Sequence, residues 1–160
     1  MAFTQEFIDD MMRRALQEAA TGAAAGEGGP FGAVVVDAAG NVLAEAHNRV
    51  LVGHDATAHA EVMAIRRAGE KLGTHDLAGC TLFSSCEPCP MCLAAIIWAN
   101  IKQVYFGGTR ADAAAIGFRD AAIYDYLSGD NMLGLQATAL SGDDCRRLFA
   151  EYRKAQGEMY

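Results

Sequence analysis

The segment TLFSSCEPCPMCLAAIIWA, residues 81–99, changes character at its centre. Thr81 to Ser84 reads as a short buried strand, whereas Cys89 to Ala99 is apolar and helix-compatible. Pro88 disfavours helical backbone in the residue before it, so the strand side ends there and a helix begins. Pro90 is tolerated in the first turn because its missing amide has no intrahelical partner. Cys89 and Cys92, three apart in that turn, then point to the same side, while Cys86 is left on the strand side of the corner. A strand feeding directly into a buried helix is the unit from which α/β sheets are built.

Working outward, apolar residues recur at helical spacing from Phe7 to Ala19, which predicts an amphipathic helix over residues 4–21 capped by Thr4. The glycine-rich stretch Gly22 to Pro30 is a loop. Phe31 to Val36 and Val42 to Ala46 are strands joined by a turn at Asp37 to Asn41, so they pair antiparallel. A helix follows from Ala58 to Leu72, ended by Gly73. Beyond the cysteines, Gln103 to Phe106 and Leu135 to Leu140 give a fourth and a fifth strand, and Asp143 to Ala155 is a closing helix with Leu148, Phe149 and Tyr152 inward. The later strands, separated by helices, pair parallel. The expected fold is α/β, a three-layer α-β-α arrangement with a mixed five-stranded sheet in one domain over residues 1–160.

Composition narrows the class. Hydrophobic residues make up 52% and charged residues 21%, which is the balance of a globular protein rather than a disordered one. The longest apolar runs are too short for a bilayer, and the amino end has no basic region followed by an apolar stretch, so a cytoplasmic protein is expected. A formal charge of −7 opposes a polyanionic partner. The cations nearest to a patch, Arg146, Arg147, Arg153 and Lys154, are interleaved with Asp143, Asp144, Glu151 and Glu158, as on a solvated helix face. Five cysteines, an odd number, argue for reduced thiols rather than a disulfide framework.

Reduced cysteines at close spacing point to metal. His59 opens one predicted helix and Cys89 with Cys92 opens another, where the amide dipoles favour thiolate. Imidazole and two thiolates suit one zinc ion per chain, and three protein ligands leave a fourth position for catalysis. Glu61, two residues after His59, is a carboxylate beside the ligands and suited to moving protons. Cys80, Cys86 and Cys145 read as small core residues. Taken singly, each of these residues has a structural reading; their combination is far more specific.

His-x-Glu followed by Pro-Cys-x-x-Cys is the signature of zinc deaminases. The chain resembles the cytidine deaminase-like superfamily in its His-Ala-Glu branch. Within that branch it is most similar to the bacterial guanine deaminases. The likeness is carried by Gly29-Pro30-Phe31-Gly32, Thr57-Ala58-His59-Ala60-Glu61-Val62, Ser85 to Cys92 and Ala115-Ile116-Gly117-Phe118-Arg119-Asp120. The resemblance implies hydrolysis of guanine to xanthine and ammonia, with zinc on His59, Cys89 and Cys92 and Glu61 as the catalytic residue. It implies that Phe31, Asn48, Ala60, Trp98 and Asp120 bind the base, and that Tyr160 reaches a pocket, in a homodimer with exchanged tails that of the partner. Arg119 departs from the paired acidic residues of those enzymes, which leaves the substrate open. The alternatives are a deaminase of guanosine, cytosine or a triazine-like base, a tRNA adenosine deaminase, or a zinc domain that only binds partners. The last would not need Glu61.

Overall fold

Strand β1 (Gly32–Val36) is buried at every position, and the two faces it covers organise the computed structural model, which describes residues 3–160. Val34 and Val36 pack with Met11, Ala15 and Phe83 on one side. Ala33 and Val35 pack with Ala44, Ala46, Ala60, Ala64, Leu82 and Ile96 on the other. Alternation along one strand thus feeds two cores, which requires helices on both faces of the sheet.

The chain divides into two compact units, one running to Ala121 and the other spanning Ala122–Tyr160. In the first, α1 (Gln5–Ala24) is capped by Thr4, whose hydroxyl accepts from the Phe7 N–H at 3.2 Å. It turns Met11, Ala15 and Ala19 to the sheet. After β1 come β2 (Val42–His47), the short α2 (Val50–Gly53), α3 (Ala60–Leu72) and β3 (Thr81–Cys86). Then follow α4 (Pro90–Trp98), β4 (Gln103–Gly108) and α5 (Arg110–Ala115), and α6 (Ala121–Leu127) begins at the division. The strand order is β2-β1-β3-β4, with β1 antiparallel to both neighbours and β3 parallel to β4. Edge strand β2 has two carbonyls taken by side chains of α3: Glu45 O by Arg67 and Val42 O by the Lys71 ammonium at 3.0 Å.

The sheet therefore has four strands among the described residues, and the expected fifth strand is corrected. Residues 135–140 carry no strand. A strand would put Leu135, Ala137 and Ala139 on one face, but it would also need the backbone groups of Leu135 for its ladder. The backbone N–H and C=O of Leu135 are instead bonded to the Asn131 side-chain amide, at 3.1 and 2.6 Å.

The second unit ends in α7 (Gly142–Lys154), with Asp143 and Asp144 in its first turn and Arg153 and Lys154 in its last, the polarity that suits a helix dipole. Leu148, Phe149 and Tyr152 are exposed rather than inward, as is Cys145. No described helix is long and apolar enough to cross a membrane.

Phe83 is the largest fully buried side chain. Its ring stacks on Tyr105 with centroids 5.0 Å apart and meets Phe7 edge-on at 6.3 Å. Phe83→Ala should cost about 3–5 kcal/mol of unfolding free energy, read from urea unfolding of the zinc-loaded protein. A loss below about 1 kcal/mol would mean that this core can collapse around the gap.

Candidate metal centre and active site

Two helices begin at the same place. His59 is the N-cap of α3 and Cys89 the N-cap of α4, both in extended backbone, with Pro90 filling the first helical position of α4. The His59 Nδ1 lies 3.5 Å from Cys89 Sγ and 3.4 Å from Cys92 Sγ. These three donor atoms all fall within 4.8 Å of one another. Tetrahedral zinc with Zn–S near 2.3 Å and Zn–N near 2.1 Å would set N and S about 3.6 Å apart. The donors are therefore spaced for the ion. Cys86, at the end of β3, is turned away, its Sγ 3.8 Å from Thr109 O.

The chemistry of the donors agrees with their spacing. A hydrogen bond from Cys92, aided by His59, holds Cys89 down to about 4, so it is a thiolate. Donation to Cys89 and burial push Cys92 up, and the bond to Cys89 raises His59. To bind a cation both must release their protons, so affinity for zinc rises with pH.

Glu61 sits in the first turn of α3 and is only 6% exposed. Its Oε2 accepts from Cys92 Sγ at 3.4 Å and its Oε1 from the Ser84 hydroxyl at 3.3 Å. Burial, above all, raises its pKa above the usual carboxylate range. A carboxyl beside the donor trio but outside it can both take and return a proton. Ser84, itself buried, was not found by sequence reasoning, because a serine inside a strand carries no spacing signal.

Of the other expected residues, Asn48 is buried and its N–H bonds Phe31 O at 3.0 Å, while the next amide, Arg49 N–H, bonds Ala58 O at 2.9 Å. Asn48 is thereby stitched between Phe31 and the residue before His59. Phe31 meets Phe118 edge-on, centroids 5.0 Å apart, a partner that the sequence did not single out. Asp120 is half-buried; burial, above all, raises the Cys86 thiol, and the charge of Asp120 is the least of the contributions, which still puts it within electrostatic reach of the corner after β3. Ala60, the first residue of α3 after His59, is fully buried. Trp98 is exposed at the far end of α4, about 9 Å of helix beyond Cys92. Tyr160, in the second unit, is exposed.

A mixed sheet that brings His-x-Glu and Cys-x-x-Cys to adjoining helix starts defines a zinc-dependent hydrolytic deaminase. Residues 5–108 match the cytidine and deoxycytidylate deaminase zinc-binding region. The chain belongs to that family. It is 50% identical to guanine deaminase of Bacillus subtilis over 116 residues, 72% of this chain and 74% of that one. It is 36% identical to a tRNA-specific adenosine deaminase of Haemophilus influenzae over 96% of its own length and 87% of the relative's. The crystal structure of the Bacillus subtilis guanine deaminase superposes with a TM-score of 0.84 at 40% identity, covering 95% of each chain.

Cys89→Ser and Cys92→Ser should each lose zinc, whereas Cys86→Ser should keep it at one ion per chain, as metal analysis of purified protein will show. Full zinc in Cys89→Ser with none in Cys86→Ser would reverse the assignment.

Proposed function

We propose that this enzyme hydrolyses guanine to xanthine and ammonia. The observation that carries the substrate is the match over 95% of both chains to Bacillus subtilis guanine deaminase. His59, Cys89 and Cys92 would hold the zinc ion, which when bound would supply the Lewis acidity that makes water a nucleophile near neutral pH. Glu61 takes a proton from the attacking water and passes it to the ring nitrogen beside the amino-bearing carbon; it then takes the remaining proton of the added hydroxyl and gives it to the amine, which leaves as ammonia while the carbonyl forms. Its burial favours this exchange, because a desolvated carboxyl holds and releases a proton nearer to neutrality. Ser84 fixes the orientation of the Glu61 oxygen that faces away from Cys92.

For the base itself, Asp120 accepts from the N–H donors of guanine. Asn48 hydrogen-bonds the ring, Phe31 and Trp98 supply aromatic surface, and Ala60 backs the pocket wall. The net charge of −7 disfavours an anticodon arm as substrate. Five cysteines, an odd number with two of them given to the metal, support a place in the cytoplasm.

Ammonia release should be fastest from guanine in a panel with guanosine, adenine, cytosine, ammeline and a tRNA anticodon arm. Glu61→Gln should keep its zinc and turn over guanine about two to four orders of magnitude more slowly. Preference for the anticodon arm would move the enzyme to the adenosine-editing branch. Near-normal turnover by zinc-loaded Glu61→Gln would remove the proton shuttle.

We also propose that the chain works as one domain whose last segment is exchanged between two copies, placing Tyr160 at the partner's site. The support is an α7 that leaves Leu148, Phe149 and Tyr152 exposed, an apolar face for a second chain to cover. Chains lacking Met159 and Tyr160 should fold and bind zinc but turn over slowly. Mixed with Glu61→Gln chains they should regain part of the rate, since one site in each mixed dimer is then complete. No recovery in mixed dimers verified by size-tagged chains would mean that tails are not exchanged.

A further inference from the structure

A polar cluster outside the metal centre joins three stretches of the first unit. His47, the last residue of β2, has a side chain only 14% exposed. Its ring lies over Gly22 of α1, where a Cβ would come within 2.4 Å of Cδ2. Nδ1 is 2.8 Å from Glu18 Oε2 on α1, and Nε2 is 2.8 Å from Glu27 Oε2 in the loop before β1. Carboxylate oxygens only accept, so both contacts are hydrogen bonds when both ring nitrogens carry hydrogen. The Arg49 guanidinium donates to the same Glu27 oxygen. The Glu27 carbonyl in turn accepts from Leu51 and Val52 N–H, each at 3.1 Å.

Nothing in the hydrolysis needs this cluster, since it touches neither the donor trio nor Glu61. What it encloses is Asn48. The Asn48 Oδ1 accepts from Val50 N–H at 3.1 Å, which leaves its amide N–H groups as the end offered to a ligand. Gly28, next to Glu27, lies so close that a Cβ there would be 2.1 Å from that Oδ1 and 2.5 Å from the Asn48 carbonyl. The loop is therefore pressed against the Asn48 amide, and the groups that hold it down are His47 and Arg49, the residues on either side of Asn48. A displacement of Glu27 is transmitted to Asn48 through one residue.

We propose that His47, clamped between Glu18 and Glu27, is a positioning residue that fixes the Asn48 amide for the ring of the substrate. The proposal rests on the reading that Asn48 binds the base. Its role is orientation before binding, which acts on ground state and transition state alike and so on KM more than on kcat.

Steady-state kinetics of the zinc-loaded protein, on the base that it turns over fastest, provide the test. His47→Ala should raise KM about tenfold with kcat within about twofold, the effect of losing roughly one hydrogen bond's worth of orientation. Asn48→Ala should raise KM at least as much. The double variant should be no worse than Asn48→Ala alone, because residues acting through one another are not additive. Glu27→Gln, which keeps the shape of the loop, should give a smaller rise in the same sense and stands in for His47→Ala if that variant does not fold. Effects that multiply in the double variant, or an unchanged KM in His47→Ala and Glu27→Gln, would overturn the proposal while leaving Asn48 as a base contact. An unchanged KM in Asn48→Ala would overturn the base contact and the proposal together.

Discussion

A donor atom from His59 and two from Cys89 and Cys92, thirty and thirty-three residues further along, have to be held near tetrahedral spacing to take one ion, and the rest of the fold follows from how this is done. Each candidate ligand sits at or beside a helix start, where side chains leave the axis in a fixed direction and unpaired amides favour negative charge. The helices are in turn fixed by a sheet whose central strand is buried on both faces. Because β3 runs straight into the Pro88 corner, the position of Cys89 is set by the sheet rather than by a long loop. The same arrangement buries Glu61 beside the donor trio, so that one packing decision brings the donors together and raises the pKa of the carboxyl.

What the sequence made legible was the part controlled by local chemistry. His59, Glu61, Cys89 and Cys92 stand at helix starts marked by proline and by motif spacing, and the structure brings them together. Strands β1, β3 and β4 were readable as β-branched or aromatic runs, and β2 because the turn at Asp37 to Asn41 pairs it back onto β1. The illegible part depended on contacts that leave no periodic trace. Ser84 matters only through its neighbour across the sheet, and Phe118 only through the edge of Phe31. The segment 135–140 contained strand-compatible residues, but the Asn131 side chain claims the backbone groups that a ladder would need. The stripe on α7 was correctly amphipathic; periodicity reports that a face is apolar, not what covers it.

The relatives sharpen this division. A guanine deaminase and a tRNA-specific adenosine deaminase both match this chain well, so the metal centre defines the reaction and not the substrate. Discrimination must lie in the loops that surround the centre, the stretches before β1, after β2 and before α6. The first two are held by polar side-chain contacts and the third by the ring of Phe118 against Phe31, which leaves all three free to differ while the scaffold stays fixed.

The side chains of Arg67 and Lys71 at edge strand β2 bear on how the protein behaves when crowded. An edge strand is a template on which another extended chain can pair, and repeated pairing of that kind is how sheets aggregate. Here two of its carbonyls are already occupied by cationic side chains from α3. An incoming strand would have to displace both and leave their charges beside its own backbone. The helix that carries Glu61 thus also covers the edge of the sheet, so that a further strand could pair there only by first displacing both cations.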